Sequence, residues 1–192
     1  MSEETFSLAC KVAEDRGDYI SIGGGEPTLH PLFWKFIAKA IATASRAGTG
    51  VWLATNGSRT EDSLTLAAMA KSGVISCALS QDQYHEQISP EVVKAFSRKK
   101  VEGDYYTGQN DFREIRTINE VMDYGRAKEN GLGETDRCPC DDLFVSPTGK
   151  IYSCACKLEC YGTVKRDRIP SDYEAQCARN KEVACLTLAQ SR

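Results

Sequence analysis

The sequence has 192 residues, 41% of them hydrophobic and 27% charged, which is enough apolar material for a packed core and argues against a disordered chain. Lys and Arg total 24 against 27 Asp and Glu, a formal net charge of −3 that speaks against a nucleic-acid or anionic-membrane surface driven by bulk charge. No apolar run approaches the roughly 20 residues that span a bilayer, and Glu3 and Glu4 stand where a secretory leader would be positive, so the expectation is a cytoplasmic protein.

Along the chain, helical and strand patterns alternate. Ser2 is placed to cap a helix running toward Arg16, with Phe6, Cys10 and Ala13 on one stripe and Gly17 as its stop. Asp18 to Ile22 reads as a short buried strand that ends in Gly23-Gly24-Gly25. Pro31 is predicted to open a second helix whose apolar face carries Phe33, Phe36, Ile37, Ala40 and Ile41. Val51 to Ala54 is a second strand, stopped by Asn56-Gly57. A helix with Glu61 and Asp62 in its first turn carries Leu64, Ala67, Ala68 and Met69 and ends at Gly73. Val74 to Leu79 reads as a third strand, Ser89-Pro90-Glu91 as a capped start to a helix through Phe96, and a fourth strand is expected between Arg113 and Met122. Further on, Leu143 to Ser146 and Lys150 to Ser153 flank Pro147-Thr148-Gly149 as a β-hairpin.

Strands separated by helices of this length predict a parallel sheet, and ligands of such sheets sit at the carboxyl ends of the strands. Three polar or glycine-rich segments fall there: Gly23 to Pro27, Thr55-Asn56-Gly57, and Ser80 to His85. Successive glycines let backbone groups approach a ligand without Cβ interference, and Glu26 adds an acceptor suited to an ammonium group. The competing reading is a tight turn with a solvated glutamate. His30 and His85 are the only histidines and read as structural rather than catalytic.

These segments, taken together, resemble the radical S-adenosylmethionine (SAM) enzymes. Ile22-Gly23-Gly24-Gly25-Glu26-Pro27-Thr28-Leu29-His30-Pro31 is similar to the second-strand motif of that family, in which Gly-Gly-Glu holds the methionyl amino group of SAM. Thr55-Asn56-Gly57 resembles the end of the family's third strand. Leu79 to His85 resembles the fourth, where polar residues approach the ribose or the methionyl carboxylate, and Gly125-Arg126-Ala127 resembles a later motif. The resemblance implies SAM as cofactor, with Gly23, Gly24, Gly25, Glu26, Asn56, Ser80 and Asp82 as its binding residues, and a small-molecule or peptide substrate.

The sequence departs from the family in one respect. The Cys-x-x-x-Cys-x-x-Cys triplet whose thiolates hold a [4Fe–4S] cluster does not precede Gly23, and Cys10 on its helix stripe reads as core. Without that cluster, reductive cleavage of SAM is not expected. Two expectations stay open: a truncated piece of a larger enzyme, or a derivative that kept the scaffold and lost the chemistry.

The cysteines are concentrated late. Of nine, only Cys10 and Cys77 precede Cys138, and the others are Cys140, Cys154, Cys156, Cys160, Cys177 and Cys185. In a reducing compartment such clustering suits metal better than disulfides. Cys138-Pro139-Cys140 and Cys154-Ala155-Cys156, with Cys160, predict a thiolate site for zinc or an iron–sulfur cluster across the hairpin. Free buried thiols are the alternative, and Cys177 and Cys185 could belong to either. The expected fold is α/β. Residues 1–130 would form a partial parallel (β/α) barrel of radical SAM type missing its first strand, and residues 131–192 a small cysteine-rich β-hairpin extension. The resemblance implies a truncated or degenerate SAM-binding core of that family, whose full-length parent would cleave SAM reductively to abstract hydrogen from a substrate, with a non-enzymatic binding or structural protein on the same scaffold as the alternative.

Overall fold

The computed structural model describes residues 1–81, 87–98, 110–117, 129–132, 142–155, 157 and 159–170. The chain divides into two compact units, residues 10–119 and residues 1–9 with 120–192. Among the described residues no helix is long and apolar enough to cross a membrane.

The first unit is built on four parallel strands: β1 (Ile20–Ile22), β2 (Val51–Thr55), β3 (Ser76–Gln81) and β4 (Arg113–Thr117), in that spatial order. Ile22 pairs with Leu53, Leu53 with Cys77 and Cys77 with Arg113, so the ladder stays in one register across the sheet. Helices α2 (Phe33–Ala47), α3 (Thr60–Lys71) and α4 (Pro90–Phe96) connect successive strands. Right-handed crossovers between neighbouring parallel strands place such helices on a single face of the sheet. That face carries the buried Val51, Leu53, Thr55, Cys77 and Leu79, whereas Trp52, Ala54, Ser80, Glu114 and Arg116 lie on the other. There the Arg116 guanidinium carbon sits 5.4 Å from the centre of the Trp52 ring, a cation–π spacing.

Helix boundaries follow the local chemistry. Helix α1 (Glu3–Arg16) is capped by Ser2, whose Oγ accepts the Thr5 N–H at 3.1 Å. Helices α1, α2 and α3 all end in the same double turn: Gly17, Gly48 and Gly73 take φ of 70°, 67° and 78°. The next residue's N–H reaches back to Ala13, Ala44 and Met69 respectively. Helix α2 starts at Phe33 rather than Pro31. His30, preceding the proline, is extended at ψ 129°, as the ring sterically favours, and a single 3-10 turn (Pro27–Leu29) takes up the chain before it. The buried stripe of α3 is Ser63, Leu66, Ala67 and Ala70, rotated from the predicted stripe and leaving Ala68 exposed. Small residues on this stripe let the helix lie close to the sheet, and the Ser63 hydroxyl is buried without a hydrogen-bond partner among the described residues. The Ser89 side chain makes no cap bond; its carbonyl accepts the Val92 and Val93 N–H groups instead.

Asp111 and Arg113 lock the far edge. Arg113 Nη2 and Nε donate to the two Asp111 oxygens at 2.6 and 2.8 Å, and Nη1 donates to the Ala95 carbonyl in the last turn of α4. A cation on those terminal carbonyls is favoured by the helix dipole.

The second unit contains an antiparallel sheet of β5 (Phe144–Val145), β6 (Lys150–Tyr152), β7 (Cys160–Thr163) and β8 (Arg166–Asp167). The predicted hairpin is its first pair, joined by a turn in which the Gly149 N–H donates to the Ser146 carbonyl at 2.9 Å and Gly149 takes φ 80°. Strands β7 and β8 extend it into a four-stranded meander with Ile151 at its core.

Candidate functional site

At the carboxyl ends of β1 and β2 the structure places one carboxylate at the centre of a set of donors. Gly23 to Gly25 carry the chain out of β1, and Glu26 follows at φ −77° and ψ 113° as the cap of the 3-10 turn. Its Oε1 accepts the Thr28 N–H at 3.1 Å, the Thr28 hydroxyl at 2.7 Å and the Thr55 hydroxyl at 2.9 Å. Its Oε2 accepts the Asn56 N–H at 2.6 Å. Thr28 and Thr55 are 6% and 1% exposed, so their hydroxyls have no water to turn to. A carboxylate offers about four acceptor positions, two on each oxygen; among the described residues Oε1 takes three donors and Oε2 one. The Glu26 side chain thus ties the loop after β1 to the end of β2 by charge-assisted hydrogen bonds.

With its carboxylate directed inward, the loop presents backbone outward. Gly23, Gly24 and Gly25 are exposed, and a Cβ built on any of them would meet no atom of the described residues within 4 Å. At Asn56, Oδ1 accepts the Ser58 N–H at 3.0 Å, leaving the amide nitrogen as two further donors. Gly57 closes the β2 end. It takes φ 76°, its N–H donates to Thr55 Oγ1 at 3.2 Å, and a Cβ there would lie 2.8 Å from Ile88 Cγ2 and 2.9 Å from Leu79 Cδ1. Only glycine meets both demands. Ser80, half-buried near the end of β3, pairs with Arg116 in register on the sheet face away from the helices.

The reactive groups near this edge are quiet. Burial, reinforced by the negative charge of Glu26, pushes the Cys77 thiol up to about 12, so it stays protonated and is a poor nucleophile at neutral pH. His30 accepts the Leu32 N–H on Nδ1 at 3.1 Å and packs its ring 4.8 Å from that of Phe36, in the structural role the sequence suggested. Among the described residues, this edge offers hydrogen bonding from an exposed glycine backbone, an amide and a hydroxyl, a set suited to a small polar ligand.

Asp82, His85 and the Gly125, Arg126, Ala127 motif lie outside the described residues. So do Cys138, Cys140, Cys156, Cys177 and Cys185. Of the predicted thiolate set, Cys154 is buried just beyond β6 and Cys160 is exposed at the start of β7, opposite Tyr152. Among the described residues no group of three or more His, Cys, Asp or Glu side chains is arranged to hold a metal.

Two features were not read from the sequence. The first is the pair Thr28 and Thr55, whose approach to Glu26 depends on strand register. The second is a chain in which Asp62 accepts from Trp34 Nε1 at 2.8 Å and from Arg59 Nε at 3.3 Å, holding both side chains along a groove of about 320 Å³. No family model matches the sequence, and neither a curated protein nor a solved structure matches it.

Proposed function

We propose that residues 10–119 form a SAM-binding core of radical SAM type, a partial (β/α) barrel whose ligand lies over the carboxyl ends of β1 to β3. The observation that carries this reading is the loop itself. Gly23, Gly24 and Gly25 expose their backbone with open space beyond each Cα, and Glu26 holds them in place by bonds to Thr28, Thr55 and Asn56. In this reading the glycine carbonyls accept the methionyl ammonium, while the Glu26 carboxylate, engaged by donors on both oxygens, supplies negative charge and position. Asn56 and Ser80 offer donors to the ligand's carboxylate or hydroxyl groups, and Asp82 completes the set suggested by the family motif.

The chain's own residues bind and orient; they do not supply the electron that SAM cleavage needs, because no Cys-x-x-x-Cys-x-x-Cys triplet occurs in the sequence. The alternative reading is a non-enzymatic binding or structural protein on the same scaffold. In the second unit, Cys154 and Cys160 with Cys138, Cys140 and Cys156 are proposed to hold zinc or an iron–sulfur cluster, which when bound would cross-link a small sheet with little core of its own.

Two measurements test this. Calorimetric titration with SAM is expected to show saturable, millimolar binding, and anaerobic incubation with SAM, iron, sulfide and dithionite is expected to yield no 5′-deoxyadenosine above a protein-free control. Absence of SAM binding would remove the reading, and turnover would overturn the non-cleaving assignment.

A further inference from the structure

We infer that Thr55 is a positioning residue for the glycine loop, acting through Glu26 rather than by touching the ligand, an inference that builds on the SAM-binding reading only for its functional consequence. Three observations converge on it. Thr55 ends β2 and is 1% exposed, so a purely packing role there would be filled as well by valine, which has the same shape. The hydroxyl is used twice: it donates to Glu26 Oε1 at 2.9 Å and accepts the Gly57 N–H at 3.2 Å. The adjacent residue, Asn56, gives its N–H to the other carboxylate oxygen at 2.6 Å. Consecutive residues of one strand end therefore grip both oxygens of Glu26, and Thr28 grips Oε1 from the other side at 2.7 Å.

The geometry has a directional consequence. A glycine-rich loop loses more conformational freedom on ordering than any other, so an unanchored Gly23 to Gly25 would present its backbone in many arrangements. Anchoring Glu26 at both oxygens fixes the residue that leaves the loop, as β1 fixes the residue that enters it. Thr55 thus sets how much of the loop's ordering is already done before a ligand arrives. The hydroxyl, not the bulk of the side chain, is what matters.

The test uses the full chain in three forms, wild type, Thr55→Val and Thr55→Ser, all well below their unfolding temperatures. Amide hydrogen exchange at Asn56 reads the grip directly. Thr55→Val is expected to speed it about ten-fold while Thr55→Ser stays close to wild type, in line with the loss of one charge-assisted hydrogen bond. SAM titration on the same samples is expected to weaken by a similar factor in Thr55→Val and to be restored in Thr55→Ser. Unchanged exchange at Asn56 in Thr55→Val, or a serine variant as impaired as the valine one, would overturn the inference. If wild type binds no SAM, the SAM-binding reading falls while the exchange comparison still decides the role of Thr55. Should Thr55→Val fail to fold, Thr55→Ala, which removes the same hydroxyl without placing a second methyl group in its position, gives the same readout.

Discussion

Thr55 and Glu26 are separated by 29 positions in the chain and joined by a 2.9 Å hydrogen bond across the carboxyl edge of the parallel sheet. The bond exists because β1 and β2 pair in the register that sets Ile22, the last residue of β1, beside Leu53, so that β2 runs on to Thr55 alongside the loop that carries Glu26. Glu26→Ala would strip the acceptor from two buried hydroxyls and two backbone N–H groups together. Partial hydration through the half-buried glutamate site offsets some of this, so a loss of about 2–4 kcal/mol is expected in urea titration. A change below about 0.5 kcal/mol, the range of ordinary surface substitutions, would mean that the carboxylate does not hold the strand ends together.

Asp111 gives the protein an acid-sensitive edge. The Arg113 guanidinium beside it holds its carboxyl below the ordinary carboxylate value, while Arg113 is raised in turn by the same contact. A carboxyl depressed on folding contributes stability above its unfolded pKa, and that contribution disappears as pH falls through the folded value. Asp111→Asn is therefore expected to be less stable than wild type at pH 7, by about 1–2 kcal/mol for a partly buried pair losing one member, and to converge with it in acid. Parallel pH–stability curves would contradict this.

The buried thiols act at the other end of the pH scale. Cys10 and Cys77 are 3% and 1% exposed, and burial raises both. For Cys77 the folded value of about 12 lies above the ordinary 9.0, so its contribution to stability is complete below pH 9 and is lost as pH rises from there toward 12. Alkylation at pH 8 followed by mass mapping is expected to leave both residues unmodified in the folded protein and to label both in denaturant. Labelling of Cys77 at the rate of an exposed thiol would show that the sheet interior is open.

Much of the first unit was legible because its punctuation is local. Gly17 and Gly73 mark helix ends through bonds within one turn, and the short apolar run from Val51 to Ala54 lies within β2. Strands β7 and β8 were not legible: Cys160–Thr163 and Arg166–Asp167 are short and largely exposed, with no alternation to betray them. The rotated stripe of α3 was missed because Leu64 and Met69 outweigh Ser63 on any hydropathy scale, although packing against the sheet selects the smaller side chains. The glycine loop was visible as composition, but the partners of Glu26 were not, because Thr28 and Thr55 reach it through a proline turn and a strand pairing that no local pattern encodes.

The cysteine-rich segment makes a separate prediction. Protein purified without added metal is expected to contain about one zinc per chain, the ion that suits a tetrahedral thiolate site and persists in air. Cys154→Ser is expected to lose it, because Cys154 is the one member of the proposed set that the structure shows buried among the described residues. Metal content near zero, with the thiols free to react in the folded state, would leave packing as their role.

The central claim is that the exposed glycine backbone binds SAM, and Gly25→Ala tests it most directly. A Cβ at Gly25 meets no atom of the described residues within 4 Å, and its φ lies outside the left-handed range, so the substitution carries no backbone strain. A change in stability below about 0.5 kcal/mol is expected, as at other unstrained surface positions. On the proposed reading, the added methyl group projects into the space that SAM occupies. Calorimetric titration with SAM should therefore show millimolar binding to wild type and at least about ten-fold weaker binding to Gly25→Ala at unchanged thermal stability, the loss of roughly one good contact. Equal affinity in the two proteins, or no binding by either, would contradict the account.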